Sequence, residues 1–290
     1  MELTKQLQAD QGRIEAALAE YAAQWPDHGP LREAMTYSLM AGGKRIRPVL
    51  TLAVCRLFGG QAEDALPFAC GLEMVHTYSL IHDDLPCMDD DDFRRGKPTN
   101  HKVYGQANAV LAGDALLTAA FSVLASAPLP PERVCRAVAV LAQAAGPAGM
   151  VGGQALDLLG EGKALREEEV IEIEALKTGC MIEAAARLGA IAAGSTPEQE
   201  EAAASYARSI GLAFQIRDDV LDVTGDAQTL GKPIGSDQSH DKSTFVALKG
   251  LAACEEWIDQ LTEQAIQCLA PYPESDFLCA LARFLAGRTK

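Results

Sequence analysis

Apolar residues recur along almost the whole chain at the three- and four-residue spacing of a helix face. Leu3, Leu7, Ile14 and Leu18 begin this pattern, and it continues into the C-terminal region. No stretch alternates apolar and polar residues in the way that indicates a half-buried strand. The pattern predicts helices over residues 3–25, 31–41, 49–58, 63–84, 107–125, 131–145, 149–159, 166–193, 197–223, 244–269 and 274–285.

The breaks between these helices are short, apart from two polar loops at residues 89–104 and 224–243. Thr196 and Pro197 show how sharply one helix begins, because Thr is a favoured N-cap and Pro is favoured at the first helical position. No linker rich in Ser, Pro or Gly divides the chain, and no internal repeat is visible. We therefore predict an all-α fold in which residues 1–290 form a single domain, one large helical bundle.

Composition and charge exclude several classes of function. The hydrophobic fraction is 48%, and the formal net charge of −15 argues against binding to nucleic acid or to an anionic membrane surface. The eight cysteines form no C-x-x-C pair and mostly lie in apolar helical patterns, so we expect reduced core thiols in a reducing compartment and no structural zinc. The N-terminus lacks the pattern of a signal peptide, and no apolar run approaches the length of a membrane span. These features predict a cytoplasmic protein without membrane insertion.

An acidic cluster is the most unusual local feature. Six aspartates fall within residues 83–92, and Arg94 and Arg95 follow directly. Asp83 and Asp84 end a predicted helix, where negative charge opposes the helix dipole, and Pro86 interrupts that helix. A solvated acidic loop is the simplest explanation. Carboxylates crowded in this way are nevertheless the hard oxygen ligands that suit Mg²⁺.

A second acidic element lies near the end of the helix predicted over residues 197–223. Asp218 and Asp222 are four residues apart and share one face of this mostly apolar helix. Buried carboxylates are rare unless they are paired or bound to metal. One D-D-x-x-D pattern is a weak signal, but two acidic elements on apolar helices indicate a metal site more strongly.

Basic residues are also clustered, at residues 44–47, 94–95 and in the loop at residues 224–243. Each cluster alone is typical of a solvated surface. Gly42, Gly43 and Lys44 do not form a P-loop, because Arg45 replaces the required Ser or Thr and no strand precedes them. Basic groups beside carboxylate-bound Mg²⁺ would suit two phosphorylated substrates.

These elements together resemble the trans-isoprenyl diphosphate synthase family, most closely its bacterial farnesyl diphosphate synthases. The resemblance covers residues 42–242 in the family's order, whereas the ends of the chain match only in helical character. It implies an all-α isoprenoid synthase fold with a central active-site cavity. The matching segments are residues 42–48, 73–76, 83–95, 152–157, 177–179, 214–222 and 230–232.

The resemblance implies a role for each charged residue in the motifs. Three Mg²⁺ ions, which Mn²⁺ could replace, would bind an allylic diphosphate; their ligands would be Asp83, Asp84, Asp89, Asp218 and Asp222. Isopentenyl diphosphate would bind Lys44, Arg47, His76 and Arg95. The allylic diphosphate would also contact Arg94, Lys177, Lys232 and Lys242.

The implied chemistry is departure of diphosphate, attack of the isopentenyl double bond on the allylic cation, and loss of a proton. The carbonyl of Thr178 and the amide oxygen of Gln215 would stabilise the cation, and Gln154 with Asp157 would support the pocket. No side chain is an obvious general base, and the released diphosphate is the family's usual candidate. The substrates would be isopentenyl, dimethylallyl and geranyl diphosphates, and the product (2E,6E)-farnesyl diphosphate.

Product length depends in this family on residues upstream of the first aspartate. Tyr78 lies five positions before Asp83, with the small Ser79 beside it. Together with the insertion of Leu85 and Pro86 between the aspartates, Tyr78 resembles the farnesyl pattern and predicts a fifteen-carbon product. Cys87 and residues 94–102 resemble geranylgeranyl diphosphate synthases instead, so a twenty-carbon product is the alternative. Tyr78 could also be an ordinary core aromatic.

Two other classes of protein remain open. A terpene cyclase would not need Lys44, Arg47 and His76, and it carries Asn and Ser or Thr in its second metal motif. A non-catalytic synthase subunit would not need both acidic motifs intact. The resemblance further implies a homodimer, and Arg288 and Lys290 at the C-terminus could reach a substrate phosphate.

Overall fold

The fold of the protein was obtained as a computed structural model that describes residues 2–224 and 244–288. Of these residues 77% are helical, which confirms the predicted all-α class. The helices are α1 (Glu2–Ala23), α2 (Pro30–Leu39), α3 (Ile46–Leu57), α4 (Ala62–Asp83), α5 (Asn100–Tyr104), α6 (Gln106–Ala125), α7 (Pro131–Ala145), α8 (Met150–Gly160), α9 (Glu167–Glu174), α10 (Cys180–Ala193), α11 (Pro197–Thr224), α12 (Phe245–Lys249), α13 (Leu251–Cys268) and α14 (Asp276–Ala286).

The predicted loop at residues 89–104 contains more structure than its sequence indicated. Strands β1 (Phe93–Arg94) and β2 (Lys97–Pro98) pair antiparallel, and α5 follows at once. The expectation of no strand was therefore wrong for one short hairpin. Arg95 and Gly96 form its turn with positive φ angles of 54° and 74°, and two-residue strands are too short to show an alternating pattern.

The helix predicted over residues 166–193 is interrupted. Its middle turn, Ala175–Gly179, is a π-helix, in which the backbone N–H of Cys180 donates to the carbonyl of Ala175. We call Ala175–Gly179 the π segment. The helix predicted over residues 244–269 is likewise divided into α12 and α13 at Gly250, whose φ of 79° favours glycine.

Two compact units are present. The first lies within Met1–Val138 and Ile191–Gly194, and the second within Ala139–Ala190 and Ser195–Lys290. Each unit has its own buried apolar residues. The single domain stays a prediction.

In the first unit, α4 packs against α3 and α6. Most of α4 is buried, including Phe68, Leu72, Met74 and Val75. Gly71 allows its close approach to α6, because a Cβ atom there would lie only 2.9 Å from the carbonyl oxygen of Ala120. This packing fixes the helix whose last residue is Asp83.

In the second unit, α11 packs along α13. Ile216 and Val220 of α11 share a buried cluster with Phe245 and Ile258. The hydroxyl of Tyr206 is fully buried and donates to the carbonyl of Leu278 over 2.7 Å. These contacts fix the part of α11 that carries Asp218.

Two helical stretches are long and apolar enough to cross a membrane by length and composition, Gln106–Ala125 and Pro131–Gly160. The expectation that no apolar run approaches this length was therefore wrong. Core helices of globular proteins satisfy the same criterion, so two such stretches are weak evidence for a membrane span. α6, for example, buries Ala112, Leu116 and Leu124 within the first unit.

All eight cysteines carry free thiols. Cys55, Cys70 and Cys254 are buried, whereas Cys87 and Cys135 are exposed. The expectation of core thiols therefore holds for only some of them.

Candidate active site

The chain turns back on itself after α4, so that two predicted metal ligands become neighbours. Asp83 is the last residue of α4, and the backbone N–H of Asp89 donates to the carbonyl of Asp83 over 2.9 Å. A second backbone bond, from Asp90 to Leu85, closes the same turn over 3.1 Å. Asp83 and Asp89 are both half-buried. The turn thus places two aspartates at the same end of a buried helix.

Asp84 is held differently from its neighbour. Its side chain is 4% exposed and accepts a hydrogen bond from Arg94 Nε over 2.5 Å. Burial raises the pKa of Asp84 to about 6, although the charge of Arg94 acts in the opposite direction. Arg94 Nη2 also contacts Asp91 over 3.2 Å. Two groups predicted to bind metal and diphosphate, Asp84 and Arg94, are therefore partners in this structure.

The glycine pair lies beside a predicted phosphate-binding arginine. Arg95 Nη1 donates to the carbonyl of Gly42. Gly43 has a φ of 122°, and a Cβ atom there would lie 2.8 Å from the guanidinium carbon of Arg95. The backbone at this position therefore requires glycine, which leaves room for Arg95.

A second predicted pair from this group also meets. Arg47 Nη1 lies 3.4 Å from His76 Nε2, which accepts when the neutral imidazole carries its proton on Nδ1. Burial lowers the pKa of His76 well below its usual value, and the positive charges of Arg47 and Arg95 lower it further. His76 is therefore neutral at pH 7, in a neighbourhood of positive potential that favours an anionic ligand.

Arg45, between Lys44 and Arg47 in sequence, points into the core instead. Its side chain is 0% exposed and forms an ion pair of 2.7 Å with Glu73, which is 2% exposed. Arg45 also donates to the carbonyl of Leu39 over 2.6 Å. One member of the basic cluster is thus structural.

In the second unit, a glycine brings α8 against the π segment. A Cβ atom on Gly153 would lie 2.3 Å from the backbone nitrogen of Lys177, so only glycine fits. One turn further along α8, Asp157 forms an ion pair of 2.7 Å with Lys177. Gly153 thereby allows Asp157, which we predicted to support the pocket, to contact Lys177, which we predicted to bind the allylic diphosphate.

The other polar groups near the π segment come from α8, α9 and α11. Gln215 Nε2 donates to Glu174 Oε2, and burial raises the pKa of Glu174. Gln154 Nε2 is buried and has no hydrogen-bond partner among the residues that the structure describes. Thr178 lies half-buried within the π segment. π segments are frequent at functional sites.

The second acidic element already has a cationic partner. Arg288 Nη2 contacts Asp218 Oδ1 and donates to the carbonyl of Phe214 over 3.2 Å, and its guanidinium stacks 3.7 Å from the Phe214 ring centroid. Asp219 instead accepts from the backbone N–H of Phe245 over 2.7 Å, which fixes the start of α12. Asp222 is half-buried one turn beyond Asp218. Three predicted residues lie outside the described part of the chain, namely Lys232, Lys242 and Lys290.

Tyr78 and Ser79 lie in the C-terminal part of α4, where Tyr78 is buried and Ser79 is half-buried. Tyr78 is 6% exposed and meets the ring of His82 edge-on at a centroid distance of 5.6 Å. Burial raises the pKa of its hydroxyl to about 12. Ser79 Oγ donates to the carbonyl of His76 over 2.9 Å. Tyr78 is thus a core aromatic, and its effect on product length stays a prediction.

The carboxylates of the described residues do not form a complete metal site by themselves. Within residues 2–224 and 244–288, no group of three or more His, Cys, Asp or Glu side chains could hold one. Mg²⁺ commonly binds through one or two carboxylates, several waters and the phosphates of a substrate. Asp83 and Asp89 fit this kind of site, which needs a diphosphate for its completion.

Sequence reasoning missed two glutamates, the buried Glu73 and the half-buried Glu174. Glu73 lies within the matching segment at residues 73–76, and its position in an apolar stretch of α4 was a signal for an ion pair. Glu174 belongs to an acidic first turn of a predicted helix, where dipole compensation is sufficient explanation. No local signal distinguished it from its exposed neighbours.

Known proteins of one enzyme family resemble this chain over most of its length. The sequence profile of the Polyprenyl synthetase family matches residues 28–272. The farnesyl diphosphate synthase of Geobacillus stearothermophilus is 50% identical over 246 residues, covering 84% of this chain and 83% of that protein. Geranylgeranyl pyrophosphate synthase 7 of Arabidopsis thaliana is 50% identical over 264 residues, covering 89% and 76%. The apo crystal structure of an FPP/GFPP synthase from Zymomonas mobilis matches with a TM-score of 0.88 and 36% identity, covering 99% of each chain.

The structure has an all-α fold in which aspartates lie near the ends of α4 and α11, each beside an arginine. The chain belongs to the polyprenyl synthetase family, since that family's profile covers most of its length. It is accordingly a prenyltransferase of isoprenoid biosynthesis that acts on prenyl diphosphates.

Proposed function

We propose that the protein is a farnesyl diphosphate synthase. It condenses isopentenyl diphosphate first with dimethylallyl diphosphate and then with geranyl diphosphate, giving (2E,6E)-farnesyl diphosphate. The observation that carries this proposal is the 50% identity to the Geobacillus stearothermophilus enzyme over most of both chains. The backbone bond that brings Asp89 to Asp83 supports it from the geometry.

Mg²⁺ is the proposed cofactor, with three ions for each site and with Mn²⁺ as a substitute. Asp83 and Asp89 would hold Mg²⁺ in the first unit, and Asp218 with Asp222 would hold it in the second. When bound, Mg²⁺ stabilises the negative charge that develops on the leaving diphosphate. Asp84 would orient Arg94, because these two side chains are already paired.

Isopentenyl diphosphate is proposed to bind near Lys44, Arg47, His76 and Arg95. Arg47 and His76 are in contact, and both Arg47 and Arg95 lower the pKa of the imidazole. A neutral imidazole has one N–H group, so it can donate a single hydrogen bond to a phosphate oxygen. A bound anion would compensate the positive charge gathered here.

The allylic diphosphate is proposed to contact Arg94, Lys177, Lys232 and Lys242. Lys177 is positioned by Asp157, which keeps its ammonium group beside the π segment. Gln154, with an unpartnered buried donor, would contact the same ligand or a water bound to it.

The proposed reaction has three steps: ionisation, formation of a carbon–carbon bond and loss of a proton. The C1–O bond of the allylic substrate breaks, and its electron pair leaves with the diphosphate. The isopentenyl double bond then supplies the electron pair for the new carbon–carbon bond, while Thr178 and Gln215 direct oxygen atoms at the positive charge. Finally, the released diphosphate takes a proton from C2 of the isopentenyl unit, which restores an alkene. The apolar helices around the site exclude water from the cation.

Product length decides between this enzyme and a geranylgeranyl diphosphate synthase, which the identity to the Arabidopsis thaliana protein favours as the second candidate. The test incubates purified protein with Mg²⁺, labelled isopentenyl diphosphate and dimethylallyl diphosphate, and separates the dephosphorylated alcohols. A chelator-sensitive fifteen-carbon product supports the proposal, whereas a twenty-carbon product supports the alternative. A cyclised product or no elongation would contradict both.

The metal assignment is tested by D83A and D218A. Each substitution is expected to lower kcat by several orders of magnitude with the helical fold intact, because it removes transition-state stabilisation. D259A, which changes an aspartate on the exposed face of α13, is the matched control. Wild-type turnover in D83A or D218A would contradict the assignment.

The proposed setting is the cytoplasm, with a homodimer as the functional form. The absence of C-x-x-C pairs and the free thiols fit a reducing compartment. Exposed apolar side chains on α6, such as Val110 and Leu111, support burial of this helix against a second copy. Sedimentation of the purified protein tests this, and a monomer at working concentration would contradict it.

A further inference from the structure

The side-chain amide of Gln215 is fixed by a carboxyl group from another helix. Glu174 is the last residue of α9, directly before the π segment, and its Oε2 accepts from Gln215 Nε2 on α11. The two residues are 41 positions apart in sequence, so this contact depends on the packing of α9 against α11. Glu174 is otherwise unused by the proposed reaction.

The direction of this hydrogen bond matters, because the two ends of an amide have opposite polarity. An ionised carboxylate only accepts hydrogen bonds, so the amide must turn its NH₂ group toward Glu174. Gln215 Oε1 then faces away from Glu174. Lys177, which follows Glu174 by three residues, has its own carboxylate partner: its ammonium group lies 2.7 Å from Asp157.

We propose that Glu174 is a positioning residue that holds Gln215 with its amide oxygen, and not its NH₂ group, directed at the allylic cation. This proposal rests on the proposed function, in which Gln215 stabilises that cation. A dipole that is already oriented stabilises developing charge without reorganisation during the reaction. An amide free to rotate would present its NH₂ group part of the time, and that end repels a cation.

The environment of Glu174 supports this role. Burial raises the pKa of its carboxyl group, and the hydrogen bond from Gln215 and the charge of Lys177 oppose that rise. The amide of Gln215 therefore compensates part of the cost of burying the carboxylate. The hydrogen bond therefore stabilises the Glu174 carboxylate and at the same time orients the Gln215 amide.

The test is a double-mutant cycle on E174A and Q215A, with steady-state kinetics for both substrates. E174A is expected to lower kcat by about tenfold and to change each KM by less than about twofold, because only the transition state loses an interaction. In the Q215A background, E174A is expected to cost less than about twofold further. An equal loss in both backgrounds, or a higher KM with unchanged kcat, would overturn the proposal.

Conservative replacement gives a second measurement. E174Q retains an oxygen that can accept from Gln215 Nε2, so it should lose less kcat than E174A. If E174A fails to fold, as judged by circular dichroism, the cycle is run with E174L and Q215A and interpreted in the same way, because leucine fills more of the space but cannot accept the hydrogen bond. E172A changes an exposed glutamate on the same helix and is the matched control.

The outcome also separates this proposal from the proposed function. An active wild-type enzyme with independent losses in the cycle would overturn the role of Glu174 alone. A wild-type protein that transfers no prenyl group would overturn both.

Discussion

Arg45 and Glu73 form an ion pair inside the first unit, with 2.7 Å between Arg45 Nη1 and Glu73 Oε1. Their side chains are 0% and 2% exposed, so neither charge has water as an alternative partner. Removing the Glu73 carboxylate leaves Arg45 buried with only its longer, 3.9 Å contact to Glu15, and breaking a buried pair in this way costs about 3–5 kcal/mol. We expect E73A to lower the free energy of unfolding by that amount, as measured by urea denaturation.

An exposed ion pair provides the control for this prediction. Arg13 and Glu63 lie 3.5 Å apart with side chains 43% and 67% exposed. Exposed pairs contribute about 0.2–1 kcal/mol, so E63A should change stability little. Equal effects of E73A and E63A would show that the buried pair is not structural.

Gly153 should tolerate no side chain. A Cβ atom there would meet the backbone of Lys177 at 2.3 Å, and backbone atoms cannot move aside as a flexible side chain can. We expect G153A to lower both thermal stability and kcat, because it separates α8 from the π segment and Asp157 from Lys177.

The matched control for G153A is G12A, on α1. A Cβ atom on Gly12 has no heavy atom within 4 Å, and alanine is the better helix former by about 0.5–1 kcal/mol. G12A should therefore raise the melting temperature while G153A lowers it. A stable, fully active G153A variant would show that the described approach of α8 is not required.

The sequence predicted most helices correctly because their apolar faces repeat over several turns, as in α4 and α11. It missed the hairpin at residues 93–98 because two-residue strands carry no periodicity. It missed the π segment because one extra residue in a turn leaves the apolar pattern nearly unchanged. Local pattern is therefore informative about long elements and silent about short ones.

The site was predicted unevenly for a related reason. Motifs identified the charged residues, but pairings across long sequence separations depend on packing. The contact between Glu174 and Gln215 spans 41 residues, and that between Arg45 and Glu73 spans 28. Arg45 looked like its neighbours Lys44 and Arg47 in sequence, and only its burial separates it from them.

The contact between Arg288 and Asp218 predicts how the enzyme depends on Mg²⁺. If Asp218 binds Mg²⁺, as proposed, the metal ion and the guanidinium group of Arg288 compete for the same carboxylate. R288A should lower the Mg²⁺ concentration for half-maximal activity by about threefold, since competition of this kind shifts binding by mass action. Activity measured across a Mg²⁺ series tests this.

R283A changes an exposed arginine on α14 and serves as the control. A higher Mg²⁺ requirement or a higher KM for isopentenyl diphosphate in R288A would show that Arg288 assists the ligands directly. That result would favour the role at a substrate phosphate that the sequence suggested.

The cysteines should differ widely in their reactivity toward iodoacetamide. Burial raises the pKa of Cys70 to about 12, so its reactive thiolate is scarce at about pH 8. Cys87 is exposed in the turn after α4. Peptide mass spectrometry should find Cys87 labelled early and Cys70 unlabelled, and both labelled in denaturant. Rapid labelling of Cys70 in the folded protein would contradict its burial.

Replacing Tyr78 tests whether the C-terminal part of α4 limits the length of the product. Tyr78 is 6% exposed, and truncating a buried aromatic to alanine opens a cavity at a cost of about 3–5 kcal/mol. If that space adjoins the growing chain, Y78A should shift the product from fifteen carbons to twenty or more, as measured by chromatography of the alcohols.

S79A, which removes only a hydroxyl bonded to the carbonyl of His76, should leave the product length unchanged. Stability must be measured alongside, since a loss of activity alone would reflect the cavity and not the length of the product. A folded Y78A enzyme that still stops at fifteen carbons would place the limit elsewhere. In that case Tyr78 serves the core, where it packs against His82.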